Sequence, residues 1–247
     1  MTTTPVAEAW QVIPIVALDV STMQQALALA EELGSTCRFY KVGSELFSAE
    51  GPSVVHAIQD LGADVFLDLK FHDIPNTVAG SVRSAAGLGV RLLTVHAGGG
   101  TTMLRAAQDA AGSRCGVLGV TVLTSFDAES LARVWGREAL RVEEEVLRLA
   151  ADAADAGLHG VVCSGAEAGA IRARYPSLAL LVPGIRLAGG DVHDQQRVVT
   201  PGGAQASGAR YIVLGRAVTG AADRRSAMEG VLAELSSPVV RGAVRDR

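Results

Sequence analysis

Asp64-Val65-Phe66-Leu67-Asp68-Leu69-Lys70-Phe71-His72-Asp73 is an apolar run that ends in charge. Residues 64–70 read as a short buried strand. Side chains alternate across a strand, so Leu67 and Leu69 share one face while Asp68 and Lys70 share the other. Seven more runs of this kind recur: Val12–Asp19, Cys37–Val42, Arg91–His96, Val117–Leu123, Gly160–Cys163, Leu178–Val182 and Tyr211–Leu214. Each is Val/Leu/Ile-rich and bounded by Gly, Pro, Ser or Asp, the pattern of parallel strands buried on both faces. Successive starts lie 25, 27, 27, 26, 43, 18 and 33 residues apart. Helical patterns fill the gaps. Met23–Leu33 lines up Leu27, Ala30 and Leu33, and Val142–Ala156 lines up Val142, Val146, Leu149, Ala150 and Ala153.

Eight strand-then-helix units predict an α/β fold, a single (β/α)8 TIM barrel. A doubly wound open sheet is the alternative, but its first strand normally leads into a glycine-rich turn. Here the first strand runs out as Ala17-Leu18-Asp19-Val20-Ser21. No Pro/Ser/Gly linker interrupts the middle of the chain. The expected organisation is an N-terminal arm over 1–11, one barrel domain over 12–235, and a flexible tail over 236–247.

Composition narrows the function. The 247 residues are 49 % apolar and 19 % charged, with a net charge of −4, which excludes a disordered chain and gives no electrostatic reason to bind nucleic acid or an anionic membrane. No apolar run reaches the ~20 residues of a membrane span, and the N-terminal stretch shows no secretory pattern. Cys37, Cys115 and Cys163 are odd in number and far apart, which predicts a reducing, cytoplasmic setting without disulfides or a Cys-based zinc site. Of the 22 basic residues only Lys41 and Lys70 are lysine. A G/C-rich genome accounts for the scarcity but not for where the two survivors sit. Arginine replaces lysine where a solvated charge suffices, not where a compact ammonium must fit or deliver a proton.

Active sites of such barrels lie at the C-terminal ends of the strands. The first strand ends in Asp19, the second reaches Lys41, and the third brings Asp68 and Lys70, with Asp73 following in the loop. Both lysines thus converge with three carboxylates. A ring of ion pairs plugging the barrel is the bland alternative, and an Mg²⁺ site held by the aspartates is another. Two ammonium groups already neutralise the aspartates, and no histidine pair has ligand spacing, so no metal and no cofactor are expected. The last two strands carry a second signal. Val182-Pro183-Gly184-Ile185-Arg186 and Leu214-Gly215-Arg216 put glycine amides and arginines where barrels bind phosphate. Leu187–Gln196 reads as a mobile loop above them.

Asp68-Leu69-Lys70-Phe71-His72-Asp73-Ile74-Pro75-Asn76-Thr77 resembles the signature of the orotidine 5′-phosphate decarboxylase family. Weaker matches follow in family order: Ala17-Leu18-Asp19, Tyr40-Lys41-Val42-Gly43, Thr94-Val95-His96-Ala97, Leu123-Thr124-Ser125, Pro183-Gly184-Ile185-Arg186, Asp194-Gln195-Gln196-Arg197 and Tyr211 to Arg216. A wider group of Mg²⁺-using sugar-phosphate barrels, 3-keto-gulonate 6-phosphate decarboxylase and hexulose phosphate synthase among them, shares only Asp-x-Lys-x-x-Asp. It is the runner-up.

The resemblance implies decarboxylation of orotidine 5′-monophosphate to uridine 5′-monophosphate without metal or cofactor, in a cytoplasmic homodimer that shares its active sites. It implies that Lys70 acts with Asp68, Asp73 and Lys41, and that Asp73, Ile74 and Thr77 reach the partner's site. Asp19 and Lys41 would bind the ribose hydroxyls, and Thr124 and Ser125 would touch the nucleotide. Gln195 and Arg216 would grip the phosphate, Arg186 would begin a closing loop, and Pro183 and Gly215 would line the same site. With no electron sink, loss of CO₂ leaves a carbanion that a fixed ammonium must stabilise and protonate, the role assigned to Lys70. His72 and His96 are read as packing residues, and Cys163 as a small apolar filler. A non-catalytic phosphate-binding barrel remains the alternative from another class.

Overall fold

A computed structural model describes residues 11–187 and 199–237. Within them the eight strands are β1 (Ile13–Ala17), β2 (Phe39–Gly43), β3 (Asp64–Phe71), β4 (Leu92–His96), β5 (Gly116–Val120), β6 (Gly160–Val162), β7 (Ala179–Val182) and β8 (Tyr211–Leu214). All pair in parallel in sequence order, and β8 closes on β1. The expected TIM barrel is what forms. Strand ends differ from the sequence reading: β1 stops at Ala17, so Asp19 stands two residues beyond it. The 43-residue gap after the fifth run holds two helices, Ala128–Trp135 and Val142–Asp155. The expected arm lies outside the described residues except for Gln11. The expected tail lies outside them beyond Ser237, and its first residue, Ser236, closes the helix Arg224–Ser236. The expected mobile loop lies outside them except for Leu187.

Local chemistry sets the element boundaries. Thr22 accepts the Gln25 amide at the start of Met23–Leu33, and Gly34 ends that helix at φ 53°. Pro75 opens Pro75–Gly87, where its missing N–H costs nothing. Asp127 and Ser130 cap each other at the head of Ala128–Trp135.

Alternation divides the apolar side chains into two cores. Val16, Tyr40, Val42, Val65 and Leu67 turn outward and pack beneath the helices. Ile15, Ala17, Phe39, Phe66, Leu92, Leu118, Leu181, Tyr211 and Val213 turn inward and fill the barrel. The inward ladders run Ile15-Ala17 in β1, Phe39 in β2, Phe66 in β3 and Leu92 in β4. Each continues upward at every second residue, onto Asp19, Lys41, Asp68 and Thr94 in turn. The charged mouth is therefore the next rung of the hydrophobic interior.

Barrel closure leaves no room at Gly160 in β6, where a Cβ would stand 2.0 Å from the Ala179 carbonyl oxygen. Gly160→Ala must push two paired strands apart. The expected loss is about 3 kcal/mol of unfolding free energy by urea titration. Gly169, exposed in the helix Gly165–Arg174, is the contrast: a Cβ added there would meet nothing within 4 Å. At that position alanine gains up to about 1 kcal/mol of helix propensity.

Candidate active site

The mouth of the barrel encloses a cavity of about 310 Å³, the size of a small-molecule pocket. Asp19, Lys41, Asp68 and Lys70 line one side of it. Val120, Val122, Val162, Leu181 and Val213 line the other, and Gly184, Arg186, Gly215 and Arg216 close one end. The charged wall comes from the first three strands and the apolar wall from the last four. The site is thus polar on one flank and apolar on the other.

The charges form a chain. Lys41 Nζ lies 2.8 Å from Asp19 Oδ1 and 4.0 Å from Asp68 Oδ2. Lys70 Nζ donates to both oxygens of Asp68 at 2.9 Å. Asp68 and Lys41 are largely enclosed, with 13 % and 12 % of their side-chain surface exposed, whereas Lys70 keeps 36 % open to the cavity. The most accessible cation of the cluster is therefore also the one pinned by a largely enclosed carboxylate. Gly43 makes this packing possible, since a Cβ there would sit 3.0 Å from Lys41 Nζ.

β3 is irregular at the point where it delivers these residues. Leu67 pairs with Leu93, but Phe71 pairs with Val95, so three residues of β3 face Thr94 alone. Such bulges re-aim side chains. Lys70 takes up the slack with φ 50°, the only positive φ at a non-glycine residue among those described. That conformation costs roughly 1–2 kcal/mol and persists only when its surroundings hold it.

Of the sequence candidates, the cavity gathers Asp19, Lys41, Asp68, Lys70, Thr124, Pro183, Arg186, Gly215 and Arg216. Asp73, Ile74, Thr77 and Ser125 are exposed and do not line it. Asp73 Oδ1 instead accepts the Ile74 amide at 2.6 Å. Gln195 lies outside the described residues. The expectation missed the apolar wall and Thr94, although the inward parity of Val120, Val213 and Thr94 could have been read from the strand pattern. Cys163 is buried just past β6 and also lines the cavity. Among the described residues no group of three or more His, Cys, Asp or Glu side chains is arranged to hold a metal ion.

His96, at the end of β4, faces the His72 ring with centroids 5.4 Å apart. Burial lowers its pKa below the ordinary 6.5, the nearby His72 and Lys70 charges add to this, and Asp68 opposes it. As pH falls below that value the unfolded chain takes up a proton that the folded one resists, so stability drops toward acid. The urea midpoint should therefore fall between about pH 7.5 and about pH 5.5, and His96→Gln should make that decline shallower. A slope unchanged by the substitution would remove His96 as its source.

A closed (β/α)8 barrel with a charged, cavity-lining cluster at its strand ends defines a barrel enzyme. The sequence profile of the orotidine 5′-phosphate decarboxylase / HUMPS family matches residues 14–231. The chain belongs to this family and is a carboxy-lyase. Orotidine 5′-phosphate decarboxylases from two bacteria illustrate the similarity. That of Pseudomonas putida strain GB-1 is 46 % identical over 225 residues, covering 90 % of this chain and 96 % of the relative. That of Pseudomonas fluorescens strain Pf-5 is 46 % identical over 226 residues, covering 90 % and 96 %. The crystal structure of orotidine 5′-phosphate decarboxylase from Lactobacillus acidophilus superposes with a TM-score of 0.81 at 35 % identity, covering 91 % of this chain and 99 % of that one. Among the described residues no helix is long and apolar enough to cross a membrane.

Proposed function

We propose that this enzyme removes CO₂ from C6 of orotidine 5′-monophosphate, giving uridine 5′-monophosphate, without metal or cofactor. One observation carries the proposal: an ammonium, Lys70, is held on Asp68 at 2.9 Å in the wall of a half-apolar cavity. The C6–carboxylate bond breaks and its electron pair stays on C6 in the ring plane. Lys70 stabilises that charge and then delivers its proton to C6, and solvent reprotonates the amine. An ammonium fixed in advance lowers the barrier because it need not reorganise as the charge develops. Asp68 orients Lys70. Lys41 and Asp19, paired with each other, bind the ribose hydroxyls. Thr124 and its exposed neighbour Ser125 touch the nucleotide, Pro183, Arg186, Gly215 and Arg216 serve the phosphate end, and Gln195, outside the described residues, is assigned to the phosphate by the family resemblance. Binding energy gained at that end, away from the reacting carbon, supports the chemical step.

We further propose a homodimer in which Asp73, Ile74 and Thr77 enter the partner's site. Ile74 is 66 % exposed, an apolar side chain presented to solvent beside the mouth, which supports this reading. All three cysteines are buried and unbridged, in keeping with a reducing, cytoplasmic setting.

The test is a spectrophotometric assay of purified enzyme with orotidine 5′-monophosphate in excess EDTA. Loss of the C6 carboxylate changes the ultraviolet absorbance of the pyrimidine. Rapid turnover in chelator supports the reaction and its metal independence. Activity on a sugar phosphate that needs added Mg²⁺ would instead move the enzyme to the sugar-phosphate branch of its family.

A further inference from the structure

Thr94 occupies an unusual position. It is fully buried on the inward face of β4, level with Asp68, yet it does not line the cavity. Its hydroxyl makes two bonds to the charged cluster. Thr94 Oγ1 accepts the Lys70 backbone N–H at 2.9 Å and donates to Asp68 Oδ1 at 2.9 Å. The polarity of this relay is fixed, because an amide cannot accept and a carboxylate cannot donate. The relay also sits where the sheet needs it. Three residues of β3 face this single residue of β4, and Lys70 lies in the left-handed region. The threonine hydroxyl thus serves as acceptor to an amide that the broken strand register has turned away from the ladder.

We propose that Thr94 is a positioning residue for the reaction. It locks the left-handed turn at Lys70 and the orientation of the Asp68 carboxylate, so that the ammonium is held in the cavity wall. The inference rests on the decarboxylase reading for its catalytic consequence, though not for its geometry. Thr94 meets the reaction only through its two neighbours. Its loss is therefore felt in the chemical step more than in substrate binding.

Thr94→Val keeps the shape and removes the hydroxyl, and Thr94→Ser keeps the hydroxyl. Misplacing a reacting group by about an ångström can cost about a hundredfold in rate. Thr94→Val should lower kcat by about that factor and change KM less than about threefold, and Thr94→Ser should recover to within about fivefold of wild type. A second readout needs no turnover. The protein has two lysines, so ¹⁵N-lysine labelling gives two assignable backbone amides. In the wild type the Lys70 amide should exchange slowly with solvent. In Thr94→Val it should exchange at least about tenfold faster, with Lys41 unchanged. Fast exchange of the Lys70 amide in the wild-type protein overturns the proposal without any variant. So does wild-type kcat in Thr94→Val, equal damage from valine and serine, or a loss carried mainly by KM. If wild-type enzyme fails on orotidine 5′-monophosphate while the Lys70 amide still responds to Thr94→Val, the proposed reaction fails and the positioning role stands.

Discussion

Lys70→Arg should abolish decarboxylation while the barrel stays folded. Arginine preserves the positive charge, so a site that needed only charge would keep working. Three features of Lys70 argue otherwise. Its ammonium is compact enough to sit on both oxygens of Asp68 at 2.9 Å. Its backbone sits at φ 50°, with its amide held by the Thr94 hydroxyl. Its proton can be given up, whereas a guanidinium is far too weak an acid. Proton delivery is worth roughly 10²–10⁴ in rate and a preorganised charge roughly 10²–10³. The two act through one group, so kcat should fall by at least about 10³. The thermal midpoint should move by only a few degrees, because Lys70 lies at the rim and not in either apolar core. A variant that keeps a tenth of wild-type kcat would remove Lys70 from the chemistry.

Arg216→Ala is the second large effect. Arg216 opens the short helix Arg216–Thr219 directly after Gly215 and lines the cavity. A guanidinium offers a phosphate two parallel charge-assisted bonds, each worth about 1.5–3 kcal/mol. Removing it should lower kcat/KM by about 10³ while leaving the Lys70–Asp68 pair intact. If phosphate binding supports the chemical step from a distance, free phosphite should activate the wild-type enzyme toward orotidine, which lacks the phosphate. That activation should be largely lost in Arg216→Ala. An unchanged kcat/KM for the whole nucleotide would place the phosphate elsewhere.

Much of this architecture is legible in the sequence, for a simple reason. Alternation is a local property, so the parity that puts Ile15 and Ala17, Phe39, and Phe66 inside also puts Asp19, Lys41 and Asp68 at the mouth. Strand order follows from eight repeats of one connection. What stays hidden depends on partners. The bulge in β3 exists only in its pairing with β4, and no pattern within residues 64–73 announces it. Thr94 looks like an ordinary β-branched strand residue until the shifted register brings it beneath Lys70. The inward parity of the apolar wall is readable strand by strand, but its side chains are core-like in type, and only the assembly of four strands makes them a cavity lining. Asp73, Ile74 and Thr77 of the family signature, and Ser125, stand outside this chain's cavity, and nothing in strand alternation sets their place.

The two lysines have one further consequence. Both are held in ion pairs at the mouth of the barrel, and every other basic side chain is arginine. Acylating agents, aldehydes and the common amine-directed cross-linkers therefore find no lysine target on the outer surface. Apart from the chain's α-amine, reagents usually chosen for indiscriminate surface labelling are therefore directed to the barrel mouth. Lys70, the more exposed of the pair, is the first side chain they meet, and a bound ligand would shield it. Attaching this enzyme to a support through its lysines would attach it by the mouth of the barrel.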